Sequence, residues 1–382
     1  MTIYLDHAAT SPVRREVLEA VWPHLAGGTA NPSSRHGPGV AAAGALTAAI
    51  ADIARVLGCR PGEVVLTSGG TEGDNLAIKG IALARPRGRH VVTSAVEHPA
   101  VLESCAALAR QGFAITVLPV DGTGRVDLDA AAAAIRDDTT LVTVQLANNE
   151  VGTVQPVREL AGLAHAGGVP VHTDAVQAAG VLPVGLADLG VDAVSIAGHK
   201  VGALRGTGAL AVRSRVPVEP LLHGGGQQRG RRSGTEDVAG AVGLAVALRL
   251  AEQDRLARER DGDALAARRD AFVAEVLASV PGAILTGSDE HRLPGSASFC
   301  FAGISGESLL VELDVRGIAV SSGSACAAGS DEPSPVLLAM GIDPDLARSA
   351  VRVSLGPATT TAELATTAAA LRDAVGLVRS LA

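Results

Sequence analysis

The 382-residue sequence predicts an α/β protein, a mostly parallel sheet covered by helices on both faces and followed by a second, smaller unit. Two observations carry this reading. From Glu63 to Val212, short β-branched runs bounded by turn residues alternate with helical stretches of roughly 10–15 residues, the pattern of strands joined by crossover helices. After Thr235 the alternation stops and a long, charge-rich helical stretch begins.

The elements follow in order. Glu63–Ser68 (EVVLTS) reads as a strand closed by Gly69-Gly70, with a helix from Thr71 to about Ala84. His90–Ala95 is a strand, and Pro99 opens a helix to about Arg110, since proline suits a first helical turn. Ala114–Pro119 is a strand, Leu128–Arg136 an alanine-rich helix and Leu141–Ala147 a strand. Pro156–Ala166 is a helix, and Val169–Thr173, Ala193–Ala197 and Gly208–Val212 are strands. Beyond Thr235 the helical stretch runs to about Ala278 and, with Glu252, Asp254, Arg255, Arg258 and Glu259 in close succession, reads as a solvated connector. The second unit then holds the strand Ser296–Phe301, the helix Gly306–Leu313, the strand Ile318–Ser321, a Gly/Ser/Ala loop and a terminal helix from Thr361.

Composition narrows the function. An apolar fraction of 47% and a net charge of -8 exclude disorder. Apolar stretches such as Val40–Ala51 are Ala/Gly-rich and end at Asp52, which argues against a membrane span. Asp6 and His7 stand where a signal peptide would need an apolar run, so a cytoplasmic location is expected. The sequence pI of 5.7 and a single compact basic cluster, Arg229, Arg231 and Arg232, argue against direct nucleic-acid binding. Four scattered cysteines with no CxxC pair give no expectation of a metal centre or disulfide framework. The two lysines, Lys79 and Lys200, are the only candidates for side-chain amine chemistry.

Four constellations carry chemistry. Thr67–Gly73 (TSGGTEG) leads a strand through glycines into a helix start with Thr71 at the cap; it is an ordinary capped helix or an anion site. Asp174 follows the strand VPVHT, and Lys200 follows the strand ending at Ala197, which places an acid and an amine at the same sheet edge. Unless they form a mere surface pair, that edge suits pyridoxal phosphate: the amine bonds the aldehyde, the acid keeps the pyridine nitrogen protonated, and the helix end holds the phosphate. His98 lies between a strand and a helix start, where an imidazole is either a satisfied core residue or one able to stack on a ring and move protons. Cys326 sits in Ser321–Ser330 (SSGSACAAGS) among small residues that favour a mobile loop, whereas Cys59, Cys105 and Cys300 read as inert.

With these residues in view, the chain resembles the cysteine desulfurases of the NifS/IscS kind. The motifs are LDHAAT, NPSSRH at 31–36, TSGGTEGDNLAIKG, EHPAV, NNEVG at 148–152, HTDAVQ, GHK, GGGQQRGRRSGT at 224–235, SSGSACAAGS and VRVSLG, in the family's order along nearly the whole chain. The resemblance implies a fold-type I pyridoxal phosphate enzyme with a large domain of the seven-stranded, mostly parallel type (15–255). It also implies a smaller α+β domain (1–14 with 256–382) carrying a cysteine loop at about 321–333. It implies that Lys200 carries the cofactor, Asp174 pairs with the ring nitrogen, Gln177 bonds the ring hydroxyl, His98 stacks on the ring and Asn149 lies near hydroxyl and substrate. Gly70, Thr71 and His199 would hold the phosphate, and Thr235 would reach the phosphate of the partner subunit in a homodimer. Arg352 would clamp the carboxylate of L-cysteine, with Asn31 also at the substrate. Cys326 would take the sulfur as a persulfide for an acceptor protein, leaving L-alanine. Acceptors known for the family serve iron–sulfur cluster assembly, tRNA thiolation or DNA phosphorothioation. The chain departs from the family at Ala197, where serine is usual, and at Ala203–Gly206 (ALRG), where Gly-Pro-Lys-Gly is common. Selenocysteine lyases and other class V enzymes share the scaffold and remain alternatives.

Overall fold

A computed structural model describes residues 2–27, 30–84, 87–322 and 332–381. The chain opens on β1 (Ile3–Tyr4) and two helices, Arg15–Ala26 and Gly37–Val56. Seven strands then build the main sheet: β2 (Val64–Thr67), β3 (His90–Ser94), β4 (Ala114–Leu118), β5 (Thr139–Thr143), β6 (Val171–Asp174), β7 (Ala193–Ala197) and β8 (Gly208–Val212). Their order is β2-β8-β7-β6-β5-β3-β4. β8 runs antiparallel to both neighbours and every other pairing is parallel. β3, β5, β6, β7 and β8 are buried along their whole length, which is why they read as continuous apolar or β-branched runs rather than alternating ones. One apolar cluster, with Ile53, Val144, Leu160, Val194 and Leu244, fills one face of the sheet; another, with Leu76, Ile78, Val91, Leu108 and Leu210, fills the other.

The second unit contains β9 (Ala283–Leu285), β10 (Ser296–Phe301), β11 (Ile318–Ala319), β12 (Ser321–Ser322) and β13 (Val351–Ser354). An antiparallel sheet β12-β13-β10-β9 packs on the helices Ala264–Ser279, Gly306–Val315 and Thr361–Leu381 through a core that includes Phe272, Phe299, Phe301, Leu309 and Leu371. Leu5 belongs to this core, and β1 pairs in parallel with β11, so the start of the chain packs with its last third.

Several sequence expectations need correction. The stretch after Thr235 is not a solvated connector. It is two helices, Val238–Asp261 and Ala264–Ser279, separated at Gly262, and the first buries Leu244, Leu248 and Ala251 against the main core. Its charges answer one another along the helix: Arg255 bonds Glu252 at 2.7 Å and also Glu259. The last buried residue of this helix is Arg255, where the sequence division between the two units was expected. The run Ile318–Ser321 splits between two sheets, because β11 pairs with β1 and β12 with β13. The strand expected to reach Ala147 ends at Thr143. The helix expected to start behind a Thr71 cap begins at Gly70, so Thr71 lies within its first turn. Helix Gly37–Val56 is long and apolar enough to cross a membrane by length and composition, and it lays Leu46, Ile50 and Ile53 into the main core.

Candidate active site

The site forms where β6 and β7 end. Asp174, the last residue of β6, is 7% exposed, and its Oδ1 accepts a hydrogen bond from the Val176 amide at 2.8 Å. β7 stops at Ala197 and the chain turns through a short 3-10 segment, Gly198–Lys200. Residues 8–11 cross this turn as a strap. Lys200 Nζ donates to the carbonyls of Ala8 (2.5 Å) and Ala9 (2.8 Å), Gln177 Nε2 donates to Ala8 (3.0 Å), and Ser11 Oγ donates to the Lys200 carbonyl (3.0 Å). His199 Nδ1 lies 3.3 Å from Thr10 Oγ1.

His98 caps the helix Pro99–Ala109: its Nδ1 accepts from the Ala100 amide at 3.1 Å, so the neutral ring carries its proton on Nε2. Arg352, on β13, is 1% exposed. Its Nη2 meets Asp6 Oδ1 at 2.7 Å, its Nη1 donates to the Asn149 carbonyl at 3.0 Å, and its Nε is buried without a hydrogen-bond partner. Asn149 is positioned by its neighbour: Asn148 Oδ1 accepts from the amides of Glu150 (2.8 Å) and Val151 (2.9 Å), closing the NNEVG turn.

These groups enclose a cavity of about 230 Å³ lined by Ala8, Ala9, Gly70, Thr71, Asp74, His98, Gln145, Asn149, Asp174, Gln177, Ala197, His199, Lys200 and Arg352, among others. A larger, more apolar cavity of about 390 Å³ adjoins it behind Lys200, between the two units. The chemistry-bearing side chains converge on the smaller one. Burial is the main influence on its titrating groups. It raises Asp174, an effect that His98 and Lys200 oppose, and it lowers His98. Burial, Lys200 and Arg205 bring His199 down to about 4, so at neutral pH it is an uncharged hydrogen-bonding group. Glu97 is pushed up to about 8 by burial although Ser94 Oγ (2.5 Å) and the Gln145 amide (2.9 Å) donate to it.

Of the residues singled out in the sequence, Lys200, Asp174, His98, Gln177, Asn149, Gly70, Thr71, His199 and Arg352 all line this cavity. Thr235 and Asn31 do not: both are exposed, and Asn31 Oδ1 accepts from the Ser33 amide at 2.9 Å. Cys326 lies outside the described residues. The thiols of Cys59 and Cys105 are pushed up to about 12, and that of Cys300 to about 11, mainly by burial, which fits their reading as inert. Sequence reasoning passed over Asp6, Asp74, Glu97, Gln145 and the carbonyls of Ala8 and Ala9. Asp6 and Glu97 stood inside motifs already recognised; backbone carbonyls leave no compositional signal.

Residues 3–366 match the family model for class V aminotransferases. The putative cysteine desulfurase IscS 1 of Bacillus subtilis is 46% identical over 376 residues, covering 98% of each chain. The chain belongs to the cysteine desulfurase family. Two solved structures agree with that placement. A NifS-like protein superposes with a TM-score of 0.91 at 35% identity, covering 99% of this chain and 100% of its own. SspA in complex with cysteine superposes with a TM-score of 0.82 at 35% identity, covering 94% of this chain and 100% of its own. The family's scaffold thus covers nearly the whole chain.

Proposed function

We propose that this chain removes sulfur from L-cysteine, with pyridoxal 5'-phosphate held in the 230 Å³ cavity and Cys326 receiving the sulfur for transfer to an acceptor protein. The observation that carries the reading is the convergence on that cavity of Asp174 from the end of β6, Lys200 from the turn after β7 and Arg352 from within β13. Support also comes from the cysteine bound by the related SspA. The residues fit the cofactor: an amine, an acid at a strand end, an imidazole and a helix N-terminus whose first-turn amides suit a phosphate. Lys200 would hold it covalently, Asp174 would meet the ring nitrogen, Gln177 the ring hydroxyl, His98 the ring face, and Gly70, Thr71 and His199 the phosphate. Bound there, the cofactor would supply an electron sink next to the substrate's α-carbon.

The remaining work falls to side chains. Arg352 would orient the substrate carboxylate, its buried fork already held by Asp6 and Asn149. Lys200 Nζ, freed from the Ala8 and Ala9 carbonyls, and His98 would move protons at the substrate. Thr235, exposed and away from its own chain's cavity, would serve the partner's phosphate in a homodimer. The division into 15–255 and 1–14 with 256–382 and a cytoplasmic location belong to the same reading, since a thiol relay suits a reducing compartment.

The test uses two variants. Lys200→Ala should lose the yellow colour on dialysis and release no alanine from cysteine. Cys326→Ser should stay yellow and bind cysteine yet release neither alanine nor sulfide above about 1% of the native rate. Full turnover in either variant, or persulfide mapped to Cys59, Cys105 or Cys300, overturns the assignment.

A further inference from the structure

A second carboxyl lines the same cavity beside the first. Asp74 stands on the second turn of the helix Gly70–Ala84, is 1% exposed, and lines the same cavity as Asp174. Its depth comes from the residue before it. Gly73 lets the helix approach β7 so closely that a Cβ there would stand 3.1 Å from Ser195 Oγ. Oδ1 of Asp74 makes no hydrogen bond; the nearest basic atom is His172 Nε2 at 3.8 Å, itself 2.9 Å from Ser195 Oγ.

The groups facing Asp74 are Asp174 and His172 on β6, Ser195 on β7 and Glu97 before the helix Pro99–Ala109. None supplies a positive charge. His172 is held down to about 3 by burial, so it is neutral, and the other two titrating groups are acids. Two buried carboxylates in contact with no cation between them cannot both stay ionised. Burial, then Asp174, raises Asp74 well above the ordinary carboxyl range against the opposing pull of the Ser195 hydroxyl, while the bond from Asp74 acts to lower Asp174.

We propose that Asp74 is a positioning residue: it stays protonated and donates its carboxyl hydrogen to Asp174, leaving the pair with one negative charge to set against the protonated ring nitrogen of the cofactor. Asp174 is then held from two sides, by the Val176 amide on Oδ1 and by Asp74. This rests on the pyridoxal phosphate reading and adds to it the state and task of a residue outside the expected set.

The test uses full-length holoprotein and two variants. Asp74→Asn offers Asp174 an amide donor in place of the acid. It should retain cofactor on dialysis within about threefold of the native rate, and its bound-cofactor absorbance should titrate at the native pH. Asp74→Leu, similar in size with no donor, should lose cofactor at least about tenfold faster, the scale of one bond to a charged group. If Asp74 were ionised, the asparagine variant would shift the absorbance titration by a unit or more; that result overturns the proposal even if the leucine variant fails to fold. A folded leucine variant with native retention also overturns it. A native protein that takes up no pyridoxal phosphate overturns the cofactor reading itself, and this proposal with it.

Discussion

At the scale of single residues, Ala197 bears most on how the proposed cofactor would be held. It closes β7, is 2% exposed and lines the cavity, with a methyl where the family commonly has a hydroxyl. A hydrogen bond to a charged group contributes about 1.5–3 kcal/mol. Ala197→Ser should therefore slow cofactor loss on dialysis, about tenfold for each 1.4 kcal/mol realised. Equal off-rates for the two proteins would mean that an ordered water already does the hydroxyl's work. The site residues visible in the sequence were those whose type and spacing imply chemistry: a lysine after a strand, an aspartate at another strand's end, a histidine at a helix start. Asp74 stands inside the TSGGTEGDNLAIKG motif but receives no role there, because nothing in its neighbours' types announces its burial. Its burial depends on the missing Cβ of Gly73 beside Ser195, a contact between segments more than a hundred positions apart.

At the scale of elements, the NNEVG turn ties the two units together. Asn148 holds it by both ends of its amide, accepting from Glu150 and Val151 and donating to the Val96 carbonyl at 2.9 Å. Gly152 then turns with φ +77, and a Cβ there would stand 2.5 Å from Ser296 Oγ at the start of β10. Gly152→Ala should thus cost about 1–3 kcal/mol of stability. The measurement is a lower urea midpoint at unchanged slope; an unchanged midpoint would refute the strain argument. The strands of the main sheet were legible because each is buried on both faces and bounded by turn residues. The helices Arg15–Ala26 and Gly37–Val56 were not, since alanine and glycine recur on both the buried and exposed faces of the second and blur its stripe. The charged run after Thr235 misled for the opposite reason: pairs such as Arg255–Glu252 satisfy the charges within the helix, so that even Arg255 is buried while Leu244 and Leu248 enter the core.

At the scale of the whole molecule, the buried titrating groups set a pH optimum for stability. Glu97, at about 8, and Glu150, at about 7, are raised by burial, so their contribution is full below the ordinary 4.5 and is lost as pH climbs through those values. His172, at about 3, and His199, at about 4, are lowered, so the unfolded chain takes up their protons first and stability falls as pH drops below 6.5. Between 4.5 and 6.5 the two sets oppose each other; above 6.5 only the acids act. The thermal midpoint of the cofactor-free protein should accordingly decline from pH 6.5 to about 8, and Glu97→Gln should flatten that decline. A midpoint that rises over this interval would contradict the assignment.

The strap over Lys200 has a consequence for how the chain is made. Ala8 takes the hydroxyl of Ser354 as acceptor for its amide, 346 positions away, and Leu5 packs with Val351 and Val353. A ribosome delivers the first of these partners at the start of synthesis and the second near its end. Once Gln177 and Lys200 have emerged they can already bond the Ala8 and Ala9 carbonyls, but the Ala8 amide and Leu5 lack their partners on β13 until that strand arrives. Closing so long a loop is among the slowest contacts a chain can form. The wall of the cavity is therefore finished late in synthesis, and Arg352, which we propose orients the substrate, is among the last parts to be installed.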